Sequence, residues 1–290
     1  MASRGSAIDG GMARTVPYDA SREALFCPGE AEDHFAGWTS EGEAALCAEM
    51  SRLAYVRDRG KVERSLGRVG FSLAAAPFDR DGTSGLLATR DDLAVVAFRG
   101  TEPDDLRDLI ANALALALPW QGPGRVHRGF ARALEPVQEQ VEAALSRVSG
   151  RIVFTGHSLG AAVATLLAAL HPPAHLYTIG SPRVGDAEFV AALGEKVAVS
   201  CFVDCCDLVC WLPARPYRHL GRLFYIDREG GVRDAPAATL VRRDRGRGRW
   251  EYLQTYSWRR GTPFLRDLAD HAPINYVAAL RSGAPAGEPS

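Results

Sequence analysis

Between the apolar run Arg151-Ile-Val-Phe-Thr155 and the alanine-rich stretch Ala161-Ala-Val-Ala-Thr-Leu-Leu-Ala-Ala-Leu170 stands the pentapeptide Gly156-His157-Ser158-Leu159-Gly160. This order predicts a strand, a tight turn and a helix, with Ser158 forced into a strained backbone conformation at the turn. Side chains two residues to either side would collide with the adjoining strand and helix. Gly156 and Gly160 remove those collisions, and the small Ala161 and Ala162 extend the clearance. The helix consists of strong helix formers and is apolar nearly all round, so it should lie buried against a sheet. Its amino terminus would point free N–H groups at the serine. A hydroxyl is a poor nucleophile that must be aimed, deprotonated as it attacks, and followed by stabilisation of the resulting oxyanion. The turn supplies the aim and points to acyl transfer; a serine kept only for turn packing is the competing reading.

Elsewhere, Ser40-x-x-Glu43 is a capping-box pattern opening a helix with Leu46, Met50 and Leu53 on one face. Leu86–Thr89, a turn at 90–92, and Leu93–Phe98 read as paired strands, the second without polar alternation and therefore central. Phe130, Leu134, Val137, Val141, Leu145 and Val148 step by three or four and predict a long amphipathic helix. Strands are expected at 151–155, 175–179 and 197–203, and a hairpin near the sheet edge at 223–232. Strands separated by helices imply an α/β fold with a mostly parallel central sheet and helices on both faces.

No linker divides the middle of the 290 residues, so one domain is expected over 36–282, with tails at 1–35 and 283–290. A net charge of -1 gives no whole-molecule field towards nucleic acid or an anionic surface. The start lacks the apolar core of a signal peptide and no run of about 18 apolar residues occurs. Six cysteines, at 27, 47, 201, 205, 206 and 210, lack the spacing of a secreted disulfide framework. A cytoplasmic setting is expected, without a transmembrane segment; oligomeric state is not legible.

On such a sheet, catalytic groups collect at the carboxyl ends of strands in the order nucleophile, acid, histidine. His219 and His271 remain as bases, and Asp186, Asp204, Asp207 and Asp227 as acids; spacing alone does not choose among them. The motifs Val96-Ala-Phe-Arg-Gly-Thr101, Val126-His-Arg-Gly-Phe130, Gly-His-Ser-Leu-Gly, Tyr177-Thr-Ile-Gly-Ser-Pro-Arg-Val-Gly-Asp186, Cys206-Asp-Leu-Val-Cys-Trp-Leu-Pro213, Tyr217-Arg-His-Leu-Gly221 and Asp270-His-x-x-x-x-Tyr276 occur in sequence. In that order, the chain from about Leu46 to Tyr276 resembles the class 3, or fungal-type, lipases of the α/β-hydrolase superfamily. The resemblance implies a Ser158, Asp207, His271 triad and oxyanion donors at Thr101 and at the Leu159 backbone N–H. It places His219 in a structural motif before a strand. Cys210 stands where the family often has proline and Ala161 where a second glycine is frequent, and neither small residue is expected to touch the chemistry. Beyond Thr101, Asp108-Leu-Ile-Ala-Asn112 stands where the family carries an Asp-Trp-x-x-Asp-like stretch.

The implied function is hydrolysis of lipid carboxylic esters, of triacylglycerol lipase or esterase type, through an acyl-serine intermediate and without metal or organic cofactor. A phospholipase A or acyltransferase on the same triad is the alternative within the enzymes, and a catalytically silent hydrolase fold used for binding or signalling is the alternative outside them. Leu109, Ile110, Leu114, Leu116, Leu118 and Trp120 form an apolar stretch after the oxyanion loop, expected to line the substrate pocket or act as a lid, although a plain core helix would need no such role. His127 is read as structural. Cys201, Cys205, Cys206 and Cys210 lack the spacing of a zinc site and read as small buried hydrophobes, so no metal is expected. Arg242–Arg249 could meet phospholipid headgroups or nucleic acid, but a solvated loop is preferred, and no nucleic-acid partner is expected. The partner is therefore an acyl-ester substrate, with transient contact at a lipid interface.

Overall fold

A computed structural model describes residues 17–30, 34–40, 42–100 and 117–282. A short helix α1 (Arg22–Phe26) precedes α2 (Glu43–Leu53) and α3 (Arg59–Gly67). Strands β1 (Ser72–Leu73), β2 (Phe78–Arg80), β3 (Thr83–Arg90) and β4 (Leu93–Phe98) follow. A small hairpin, β5 (Ala117–Pro119) with β6 (Arg125–His127), leads into α4 (Arg128–Leu145). Then come β7 (Arg151–His157), α5 (Leu159–Leu170), β8 (His175–Ile179), α6 (Ala187–Gly194) and β9 (Ala198–Asp204). The chain closes with β10 (Arg222–Ile226), β11 (Val232–Asp234), α7 (Ala238–Thr255), α8 (Arg266–Ala269) and α9 (Pro273–Ser282).

The main sheet runs β1-β3-β4-β7-β8-β9-β10-β11, with β2 beside β3. Its centre, β4 through β10, is parallel, and antiparallel strands flank it on both sides. Buried on both faces, β4 shows why its sequence lacks polar alternation: Ala94, Val96 and Phe98 pack with α4 and α5, whereas Val95 and Ala97 pack with α2 and α3. Helix α9 lies against α2 on that second face, where Tyr276, Val277 and Leu280 meet Val153 and Ile179. Each such side chain contributes roughly 1.5–3 kcal/mol by leaving water. The expected α/β architecture, with a mixed and mostly parallel sheet, is the one found.

Two local readings are corrected. Helix α2 begins at Glu43 behind Gly42, with no side-chain cap; Ser40 Oγ instead accepts the Gly42 N–H. Glu43 is drawn outward to an ion pair with Arg151 and a hydrogen bond from Tyr177, so it does not turn back on Ser40. Arg242–Arg249 lies within the 18-residue helix α7, not a loop, because Val241, Gly248 and Tyr252 give that stretch a buried stripe despite its two glycines. In the stretch expected as a partly ordered tail, 1–35, residues 17–30, 34 and 35 are described and include α1. Ser21 caps α1, and Asn275 binds the Asp19 backbone both ways. Residues 1–16 and 283–290 lie outside the described residues.

Candidate active site

Strand β7 hands the chain to α5 through Ser158, whose φ of 57° and ψ of -126° lie where side-chain-bearing residues are strained. The two glycines are required by close approach. A Cβ on Gly156 would stand 2.4 Å from the carbonyl carbon of Gly160, and one on Gly160 would stand 2.3 Å from the carbonyl oxygen of Arg99. Neighbouring strands fix the turn from both sides, since Ser158 N–H donates to Ile179 O at 3.0 Å and Gly100 at the end of β4 abuts the Ser158 Cβ.

The loop after β9 brings Asp207, and the turn between α8 and α9 brings His271. His271 Nε2 lies 2.8 Å from Ser158 Oγ, and its Nδ1 lies 2.8 Å from Asp207 Oδ2. The consistent tautomer donates Nδ1–H to the carboxylate and accepts the serine hydroxyl proton on Nε2. Asp207 also accepts Tyr276 O–H at 2.6 Å on Oδ2 and Val209 N–H at 2.9 Å on Oδ1. All three side chains are buried. Burial favours a neutral Asp207, but the His271 imidazole and the hydrogen bonds from it and from Tyr276 prevail, holding the carboxyl below its usual range.

The other candidate groups are engaged elsewhere. Asp186 caps α6 by accepting Phe189 N–H, Asp227 pairs with Arg233, and Asp204 accepts Cys205 N–H. His219 stacks edge-on against Trp211 at 5.4 Å, and His127 precedes α4 with its ring 4.3 Å from that of Phe130. Leu159 opens α5 directly after the serine, so its N–H faces the start of the helix. Thr101, Leu109, Ile110, Leu114 and Leu116, and the 108–112 stretch, lie outside the described residues. Leu118 and Trp120 are not brought to the triad. Leu118 sits on β5 and Trp120 directly after it, where the Trp120 ring meets that of Phe189 of α6, and neither cavity lined by Trp120 includes a triad residue.

Burial pushes His219 down to about 4, with the nearby Arg183 charge adding to it. The folded value lies below the unfolded one of 6.5, so the stabilisation is complete above pH 6.5 and is lost as pH falls towards 4. At pH 5 this residue costs the fold roughly 2 kcal/mol. His219→Phe, which keeps a ring against Trp211, should recover that amount at pH 5 and leave pH 7.5 stability little changed. A urea midpoint that shifts equally at both pH values would refute this.

Cys205, Cys206 and Asp270 place their ligand-type atoms within 4.8 Å of one another. The Asp270 carboxylate accepts Tyr18 O–H at 2.7 Å, Cys206 N–H at 2.9 Å and the Arg266 guanidinium at 2.9 Å. A cation there would sit beside that guanidinium, so the cluster fits a hydrogen-bonded hub better than a metal centre. Cys210 corrects one expectation: its Sγ lies 3.6 Å from Tyr276 Oη, which itself holds Asp207. It therefore belongs to the packing of the acid.

Sequence reasoning assigned no role to a second chain of hydrogen bonds behind the triad. Gly100 N–H donates to Tyr55 Oη at 2.9 Å, Tyr55 O–H to His157 Nδ1 at 2.7 Å, and His157 Nε2–H to His271 O at 2.9 Å. Burial and the neighbouring His271 push His157 down to about 3, which keeps its ring neutral for this relay. Tyr55→Phe leaves Gly100 N–H and His157 Nδ1 without their partner, each costing about 1–3 kcal/mol. Chemical denaturation should register the loss; an unchanged urea midpoint would discard the relay as a stabilising element.

A strained serine between a parallel strand and a helix, with its acid and base on later loops in that order, defines the α/β-hydrolase class. Residues 95–217 match the family model described as Lipase (class 3). A secreted mono- and diacylglycerol lipase 1 of Fusarium solani is 37% identical over 123 residues, covering 38% of this chain and 36% of that protein. The toxin TseL of Vibrio cholerae is 30% identical over 161 residues, covering 39% and 25%. The chain thus spans about a third or less of the length of these curated relatives. In fold it is similar to a mono- and diacylglycerol lipase from Aspergillus oryzae, with a TM-score of 0.55 at 22% identity, covering 65% of this chain and 81% of that one.

Proposed function

We propose that the protein hydrolyses carboxylic esters of lipids, of acylglycerol type, through an acyl-serine intermediate. The observation that carries this reading is the unbroken chain Ser158 Oγ, His271, Asp207, with both contacts at 2.8 Å. Ser158 Oγ attacks the ester carbonyl while His271 Nε2 takes its proton, and collapse of the tetrahedral species returns that proton to the leaving alcohol. Water then repeats the sequence on the acyl-enzyme and frees the acid. Asp207, ionised and held by three donors, fixes the imidazole tautomer and offsets its transient positive charge. The oxyanion falls to Leu159 N–H at the start of α5 and to Thr101, one residue beyond Gly100. The similarity to the mono- and diacylglycerol lipase of Fusarium solani supports a mono- or diacylglycerol substrate over other esters.

The test is turnover of a chain-length series of p-nitrophenyl esters by purified protein, with fluorophosphonate labelling mapped by peptide mass. Turnover with the label on Ser158 supports the reading. Neither turnover nor label would leave the silent-fold alternative standing. Product analysis with defined diacylglycerol and phosphatidylcholine separates the lipase from a phospholipase A or acyltransferase.

A further inference from the structure

The large apolar side chains exposed among the described residues are Leu240, Trp250, Trp258, Phe264 and Leu265, all within one stretch of chain. Trp258 is 77% exposed and Trp250 61%. Residues 238–265 also hold seven arginines against two acids, in a chain of net charge -1. Two independent sequence properties, unburied aromatic surface and positive charge, therefore converge on α7 and the loop that follows it.

The helix sorts them by face. Val241, Gly248 and Tyr252 form the buried stripe of α7. Arg243, Arg247, Trp250 and Gln254, spaced by four, three and four, fall on the opposite side. Arg249 is tied to Asp267 and Arg228 to Glu251, but Arg242, Arg243, Arg247 and Arg260 form no ion pair among the described residues. A cavity of about 410 Å³ opens between Arg243, Arg247 and Leu240 of the helix and Arg228 and Arg233 of the β10–β11 hairpin region. Its acids are occupied: Asp227 pairs with Arg233, Glu229 with Arg228, and Asp244 accepts Tyr225 O–H and Arg228 N–H. Four arginines against three acids leave the cavity a net positive charge, and Arg243 and Arg247 are its cations outside an ion pair.

Beyond the helix, the Trp258 and Phe264 rings meet edge to face at 5.5 Å. Their backbone is pinned, with Tyr252 O–H donating to Pro263 O at 2.8 Å and Ser257 O–H to Phe264 O at 2.7 Å. The aromatic pair is thus held out towards solvent by anchored chain. Leu265 caps α8, which leads directly to His271. Indole and phenyl rings favour the boundary between water and acyl chains, and arginine favours anionic headgroups.

We propose that the outer face of α7 and the 256–265 loop dock the protein on anionic lipid surfaces, beside the loop that carries the catalytic base. Its use to the enzyme rests on the lipid-ester reading above; the binding itself does not. The probe is cosedimentation of the full-length Ser158→Ala protein, which cannot consume lipid, with vesicles of phosphatidylcholine alone or mixed equally with phosphatidylglycerol. Binding should favour the mixed vesicles at least tenfold and weaken as salt is raised. In that background R243Q/R247Q should lower binding roughly thirtyfold, since each arginine near an anionic surface is worth about 1 kcal/mol, and W258A/F264A should lower it as well. The same pairs of substitutions, placed in the protein with Ser158 intact, should leave p-nitrophenyl butyrate turnover at the parent level. Equal binding to both vesicles, binding indifferent to both sets of substitutions, or a preference for a nucleic-acid oligomer over the mixed vesicles would overturn the proposal. A protein that binds mixed vesicles as described but hydrolyses no soluble ester would instead break only the catalytic reading.

Discussion

Ser158→Ala is expected to lower kcat on a soluble p-nitrophenyl ester by about 10⁶-fold, the order seen when a triad nucleophile is removed. Among the described residues nothing else in the site can replace it. His271 Nε2 faces the serine oxygen, and Asp207 is enclosed by His271, Tyr276 and Val209. The buried cysteines offer no substitute, because burial pushes the Cys201 thiol up to about 11 and raises Cys210 as well. Losing a single buried hydroxyl should leave the fold intact, so the comparison is of rates between proteins with the same melting temperature. A loss of less than a hundredfold would remove Ser158 from the mechanism.

Asp207→Asn should cost about 10⁴ in kcat, with little change in KM. Each carboxylate oxygen already receives donors, His271 and Tyr276 on Oδ2 and Val209 N–H on Oδ1. An asparagine amide must turn its NH₂ towards one of these sets. Turned to Oδ2, it drives the proton of His271 onto Nε2, the tautomer that cannot accept from serine. Turned to Oδ1, it opposes the Val209 N–H and still lacks the negative charge that steadies the imidazolium. Pre-steady-state measurement of acyl-enzyme formation should show the acylation step itself slowed. A variant within tenfold of the parent would assign the acid to another residue.

The elbow was legible because its constraint is local: the apolar strand, glycines with no room for a Cβ and the alanine-rich helix all lie within about twenty residues of one another. The parallel centre of the sheet was legible for the same reason, since Leu93–Phe98 and Arg151–Thr155 announce burial on both faces. Choice among the acids was not, because Asp186, Asp204, Asp207 and Asp227 have similar local settings. They differ only in partners that folding brings from afar, such as Tyr276 for Asp207 and Arg233 for Asp227. Tyr55 carried no signal, for its two partners lie 45 and 102 positions away. Tyr276 was visible in the motif that starts at Asp270, but its hydroxyl contact with Asp207 was not. The arginines of α7 misled because a composition rich in charge and glycine reads as solvated loop, while Val241, Gly248 and Tyr252 are too few to announce a helix.

Tyr18 holds Asp270 from a position 252 residues earlier in the chain, and Asp19 exchanges hydrogen bonds with Asn275. The histidine between those two anchors therefore gets its rear support from a segment about 250 positions earlier in the chain. During synthesis the hydroxyl nucleophile emerges more than a hundred positions before its base, and the early segment has to wait for the late one. An unfinished chain would carry an aimed but unactivated serine, so the proposed ester cleavage would begin only once residues 18–19 and 270–275 have met.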